Sequence, residues 1–197
     1  MQIRACRHGI IPLLALLLTS GSVAAQEPSA PGHEGIEVHG RWTITVVRDG
    51  AVVDRREFEN ALTVGGQTHL ARVLSRRRTP GLWTILVEAD GTGSLCANNE
   101  FVNGEDTDCA ISEAEGEATV TEAPSGTVRL EGTETVVRDG NLTLVNTYQW
   151  NCLAQTATVD CQPAGANFGQ FTRKALDTPI PVQNGDRIEV TVEISFS

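Results

Sequence analysis

The chain is predicted to fold as an all-β antiparallel sandwich, of jelly-roll or immunoglobulin-like type, with one short helix. Three observations predict it. From Arg187 to Phe196 the residues alternate strictly, with Ile188, Val190, Val192, Ile194 and Phe196 on one face and Arg187, Glu189, Thr191, Glu193 and Ser195 on the other. That is the period of a half-buried strand. Turn signals such as Asp49-Gly50 and Asn184-Gly185 punctuate short apolar runs, and only one segment has helical spacing. Many short strands separated by such turns argue a sandwich.

The elements follow in chain order. Arg4 and Arg7 precede the apolar run at 10–18, and Val23-Ala24-Ala25 supplies a small-residue cleavage site. Residues 1–25 therefore have the layout of a secretory signal peptide, too short to cross a bilayer as a stable helix. Cleavage after Ala25 makes the product secreted or periplasmic. Residues 26–36, rich in proline and glycine, are a flexible leader, and 37–197 a single domain. Alternation at 41–48, the Asp49-Gly50 pair and Ala51-Val52-Val53 predict a tight hairpin. Its return strand continues into Asp54-Arg55-Arg56-Glu57, which has no clean apolar face, as suits a charged edge strand. Leu70, Val73 and Leu74 fall at helical spacing after Gly65-Gly66, and Arg76-Arg77-Arg78 reads as cations near that helix's C-terminus. Thr79-Pro80-Gly81 breaks the pattern, and the apolar run at 82–87 suits a central strand covered on both faces.

Thr-Val-Val-Arg-Asp-Gly occurs twice, at 45–50 and 135–140, and predicts two hairpins sharing one turn chemistry. Beyond the second copy, Leu142, Leu144, Tyr148 and Trp150 keep one parity, broken at Asn146. The turn at 182–186 is expected to pair the last strand with a segment around Ile180, which Pro179 and Pro181 confine to an edge or bulge.

Charge and cysteines narrow the function. The formal net charge is −10, and removing the signal peptide's two arginines leaves −12. Such a surface repels phosphate backbones and anionic lipid, so neither nucleic acid nor a membrane span is expected. Cys96, Cys109, Cys152 and Cys161 remain after cleavage, an even count that in an exported chain reads as two disulfides. Three pairings are open. The local ones, Cys96–Cys109 and Cys152–Cys161, fit best because each brackets a loop-forming stretch.

No catalytic motif is present, and the chain is expected not to be an enzyme: His33, His39 and His69 are scattered, and no nucleophile elbow, zinc helix or phosphate loop occurs. Ten acidic and no basic residues lie between Arg78 and Arg129. Within that stretch Asp90, Glu105, Asp106 and Asp108 are the oxygen ligands from which a calcium site would be built; otherwise no cofactor is implied. Trp42, Trp83 and Trp150 sit at strand positions and are expected in the core.

Phe58-Glu59-Asn60-Ala61-Leu62-Thr63-Val64-Gly65-Gly66 followed by Leu70 to Leu74, and Phe171-Thr172-Arg173 to Thr178-Pro179-Ile180 followed by Gly185-Asp186 to Phe196, resemble segments of some phage virion proteins of tail or fibre type. The resemblance covers about a third of the chain. It implies a β-sandwich used in assembly or surface attachment and brings no catalytic residue; the export signal departs from virion subunits, which assemble in the cytoplasm. The resulting expectation is an exported, acidic, structural or binding module that contacts a protein partner, or itself, through edge strands at 51–58 and 178–182. The alternatives are a calcium-assisted extracellular ligand-binding domain and an extracellular hydrolase.

Overall fold

Strands form both where the sequence alternates and where it is continuously apolar, and a turn, the helix or a change of sheet separates each from the next. The structure, a computed structural model, describes residues 37–89, 95–96, 101–102, 105–106, 109–124, 126–161 and 167–197. In order these form β1 (Val38–Arg48), β2 (Ala51–Ala61), α1 (Val64–Leu74), β3 (Arg78–Ala89), β4 (Phe101–Val102), β5 (Glu105–Asp106), β6 (Cys109–Ser112), β7 (Ala118–Ala123), β8 (Thr127–Thr135), β9 (Gly140–Leu153), a 3-10 turn at Thr158–Asp160, β10 (Asn167–Val182) and β11 (Arg187–Phe196). Two antiparallel sheets pack face to face, with strand orders β2-β1-β11-β8-β7 and β10-β9-β3-β6; β4 and β5 form a separate small ribbon. The architecture is the all-β sandwich that the periodicity predicts.

Between the sheets, Trp42, Ile44 and Val46 of β1 and Ile188, Val190, Val192 and Ile194 of β11 meet Ile85 and Val87 of β3, Ile111, Val145, Phe171 and Ile180. All are buried, and each large side chain contributes about 2 kcal/mol by leaving water. On the far side of the five-stranded sheet the alternate residues are polar and pair with one another: Arg41 and Arg55 with Glu57 at 3.1 and 2.8 Å, Arg129 with Glu131 at 2.6 Å. Such exposed pairs keep the face soluble and add little stability.

Within the four-stranded sheet, β6 and most of β3 and β9 are buried on both faces, which explains why these strands do not alternate, while β10 keeps an exposed edge. Leu86, Ala110 and Tyr148 form one buried cluster on the outer face; Trp150, Cys152 and Cys161 form another, with Leu82 against it. Asn146 belongs to this outer face rather than interrupting it. Its Nδ2 donates to Glu88 Oε1 at 2.5 Å and its Oδ1 accepts from Gln170 Nε2 at 3.0 Å, so its burial leaves neither end unpaired. The break in parity lies earlier: Leu142 pairs with Ala89 and Leu144 with Glu88, and this bulge turns Leu142 into the main core.

Three further expectations are corrected. The second hexapeptide does not make a hairpin: it carries the chain from β8 in one sheet to β9 in the other. Ile180 pairs with Leu142 of β9, not with β11, because the 182–186 turn is likewise a passage between sheets; β11 pairs instead with β1 and β8. Thr79-Pro80-Gly81 lies inside β3, where the register shifts between Pro80 and Trp83 and so accommodates the missing proline N–H.

Helix α1 starts where Thr63 caps it. Thr63 Oγ1 accepts from Gly66 N–H at 2.9 Å and donates to the Gln170 carbonyl at 2.7 Å, tying the cap to β10. A Cβ on Gly66 would stand 2.3 Å from the Phe171 carbonyl oxygen, so only glycine allows this approach. Arg76 ends the helix with φ 57°, and Arg77 N–H bonds to the Arg72 carbonyl in the pattern of a Schellman cap. The apolar spacing is only partly a guide to the buried face: Leu70 packs on the core, Leu74 is exposed, and His69 is buried.

Candidate functional site

Two regions of the sandwich could receive a ligand or partner. The first is the side where one edge of each sheet meets. β2 terminates the five-stranded sheet and β10 the four-stranded one. The two approach at an isolated bridge between Leu62 and Thr172. Residues 176–179 of β10 have no partner on β9, so this edge bulges away from its sheet. The cleft between the edges, about 150 Å³, has Phe58 and Leu176 as apolar residues and Arg56, Glu57, Lys174 and Asp177 as charged ones. Glu57 is held below the ordinary carboxylate range by hydrogen bonds from Arg55 and Arg41. At the β1–β2 turn, Val52 and Val53 are 62 % and 48 % exposed, an apolar tip on an otherwise charged edge.

The second region lies where α1 crosses the end of the four-stranded sheet. A cavity of about 390 Å³ is lined by Thr68, His69, Arg72, Arg78, Asn151 and Gly169, among others. His69 is 4 % exposed, its Nε2 is 2.7 Å from Gln149 Oε1, and its ring is edge-on to Phe171. Burial holds its pKa below the ordinary histidine value, against the Gln149 hydrogen bond and together with the charge of Arg72. The contact with the Gln149 oxygen favours the tautomer in which Nε2 is the donor. Nδ1 has no partner, and neither has Oδ1 of Asn151.

The four predicted cysteines pair locally: Cys96 with Cys109, Cα atoms 5.0 Å apart, and Cys152 with Cys161, 5.6 Å apart. The first bridge lies in the main core; the second sits on the outer face against Trp150 and Leu82. Neither brings a reactive thiol to a cleft, and both require a compartment where thiols are oxidised. Among the described residues no helix is long and apolar enough to cross a membrane.

Of the calcium ligands expected from sequence, Asp90 and Asp108 lie outside the described residues. Glu105 and Asp106 form β5, paired with Val102 and Phe101 of β4. Among the described residues no group of three or more His, Cys, Asp or Glu side chains is placed to hold a metal. Two acids of the β6–β7 turn serve the backbone instead. Glu113 Oε2 accepts from Trp83 N–H at 2.6 Å, and Glu117 Oε2 approaches Ser112 N–H; burial raises both carboxyls above their ordinary range.

The cavity beside His69 is the feature that sequence reasoning missed. Its signal was present in composition: residues 60–87 contain no acid and four arginines in a strongly acidic chain. Comparison with known proteins adds no identity, since no family model, curated protein or solved structure matches the chain.

Proposed function

We propose that this chain is an exported, non-enzymatic β-sandwich module that makes protein–protein contacts, including with copies of itself, through the paired edges of β2 and β10. In this reading the signal peptide is removed after Ala25, and the domain from 37 to 197 works in the periplasm or outside the cell. The observation that carries it is the exposed apolar tip Val52-Val53 on an edge strand whose remaining length is guarded by Asp54, Arg55, Arg56 and Glu57. Charges along an edge oppose unrestricted strand addition, while an apolar tip left uncharged localises it. The bulged, partly apolar margin of β10 lies beside it.

Sedimentation velocity on the disulfide-bonded protein over a hundredfold concentration range tests the proposal. Concentration-dependent oligomers that dissociate in the Val52→Lys/Val53→Lys double variant, with the melting temperature retained, are expected. A monomer at every concentration, together with no retained partner, removes the reading.

A further inference from the structure

Independently of the strand edges, we infer that α1 is an acid-released latch, docked on the four-stranded sheet while the His69 ring is neutral and let go when the ring takes up a proton. Besides the Thr63 cap, little else holds the helix. Gly66 and His69 are its buried residues, Leu70 is partly buried against the core, and Val64 and Leu74 are exposed. Gly66 has no side chain to bury, so the side chain that docking takes furthest out of water is an imidazole. The anchor is a titratable group.

A neutral ring fits this site and a protonated one does not. Imidazolium carries two N–H donors, and each needs an acceptor when it is buried. The site offers one. Nε2 lies 2.7 Å from Gln149 Oε1, and Nδ1, itself buried, has no partner. A Cβ built on Gly169 would stand 3.5 Å from Nδ1 and 3.6 Å from Asn151 Nδ2, so the group across this gap is a donor, as suits an unprotonated nitrogen. Charge gives a proton no help. On α1 itself Arg72 opposes a positive ring, and β3 contributes Arg78 to the same cavity. From β9 come the uncharged Gln149 and Asn151, and from β10 Gly169 and the Phe171 ring. Among the described residues no carboxylate acts on the ring.

A proton is therefore taken up more readily with α1 undocked. Burial, together with Arg72, holds the docked ring below the ordinary histidine value of 6.5, against the Gln149 hydrogen bond. With the docked value the lower one, docking has its full strength above 6.5 and weakens as pH falls toward the docked value. The helix has a place to swing at either end, Gly65-Gly66 at its start and Arg76, with φ 57°, just past its finish. Its release uncovers the end of the four-stranded sheet at Gln149, Asn151 and Gly169.

Hydrogen exchange of the backbone amides of the disulfide-bonded protein, at about pH 7 and about pH 5, both above the ordinary carboxylate values, tests the latch. The amides of α1 should be less protected than those of β11 at both. Their protection factors should fall by up to about twentyfold on acidification, the ratio that a ring value near 6.5 in the undocked helix allows. His69→Gln keeps an N–H for Gln149 and takes up no proton, so it should abolish the fall. Asn151→Asp places a carboxylate across the gap from Nδ1; it should abolish or reverse the fall and raise the titration of the ring followed by NMR. Amides of α1 as protected as those of β11, protection unchanged between the two pH values, or a fall that survives in His69→Gln or in Asn151→Asp overturns the inference.

Discussion

The two copies of Thr-Val-Val-Arg-Asp-Gly have the same side chains and different structures. At 45–50 the chain stays within one sheet: Val46 and Val47 pair with β2 on one side and β11 on the other, and Asp49 and Gly50, with φ of 50° and 78°, close a two-residue turn. At 135–140 neither Asp139 nor Gly140 adopts a positive φ, and the chain changes sheet. There Val136 donates to the Asp186 carbonyl and accepts from Gly185 N–H, both at 2.8 Å, while Val137 donates to the Leu95 carbonyl at 2.7 Å. Asp139 Oδ1 accepts from Asn184 N–H at 2.8 Å. The second copy is thus paired with the 182–186 passage and with the segment at Leu95, where the first is paired with neighbouring strands. The hexapeptide permits both conformations, and the partner across from it chooses.

Asp186 joins the two copies. Its carboxylate takes two hydrogen bonds of 2.8 Å from Arg48 of the first, and its carbonyl receives Val136 of the second. The carboxylate is almost fully buried and also accepts from Gln183 N–H at 2.7 Å. Asp186→Asn is therefore expected to have the largest effect, a loss of about 3 kcal/mol, because the buried carboxylate loses its charge-assisted hydrogen bonds to Arg48, whose own side chain is about a third exposed. The Arg48 hydrogen bonds hold the Asp186 carboxyl below its ordinary value of 3.8. A depressed folded-state pKa gives stability that is complete above the unfolded value and lost as pH falls through the folded one. The gap between wild type and variant should be full in urea melts at pH 6 and narrow below pH 3.8. A gap that stays constant with pH would assign the loss to packing alone.

The glycines that end the two copies should fail for different reasons. A Cβ on Gly140 would lie 2.6 Å from Leu95 Cδ2, so Gly140→Ala should cost about 2 kcal/mol by overpacking, and Leu95→Val should restore part of it. Gly50 faces open space but needs its positive φ, so Gly50→Ala should cost about 1 kcal/mol while Gly50→Asn is nearly neutral. Rescue of Gly140→Ala by Leu95→Val, together with no rescue of Gly50→Ala, would separate the two causes in chemical melts. Should asparagine rescue both positions, the contrast between the copies is lost. The smallest effect is expected at Val137, nearly half exposed in the second copy: Val137→Thr should change stability by less than about 0.5 kcal/mol.

How far each element was legible follows the same logic. β11 alternates because one face meets the core and the other meets water, so its residues announce the sheet they belong to. β9 is buried across most of its length on both faces, and the pattern that marks a face disappears. Asn146 then resembles an interruption when it is a hydrogen-bonded member of the outer face. The cavity was hidden for a related reason. His69 and Asn151 are 82 positions apart, and only the docking of α1 against the four-stranded sheet brings them to one cavity. The local disulfides were favoured from spacing because loop-forming residues separate each pair of cysteines by 13 and 9 positions.

By itself the sequence determined what can be decided within a few residues: the alternating strands, the Asp49-Gly50 turn and the short helix, and it favoured the bridges across adjacent loops without fixing them. These depend on backbone preference and on which residues avoid water, and both are properties of a segment. Only the tertiary structure decided which turns join strands of one sheet and which cross to the other. It also decided which face of the four-stranded sheet each apolar residue covers, and which polar atoms are left without partners beside α1. Those outcomes depend on hydrogen bonds and contacts between distant segments, 138 positions apart in the case of Arg48 and Asp186, and no local pattern encodes the partner at the other end.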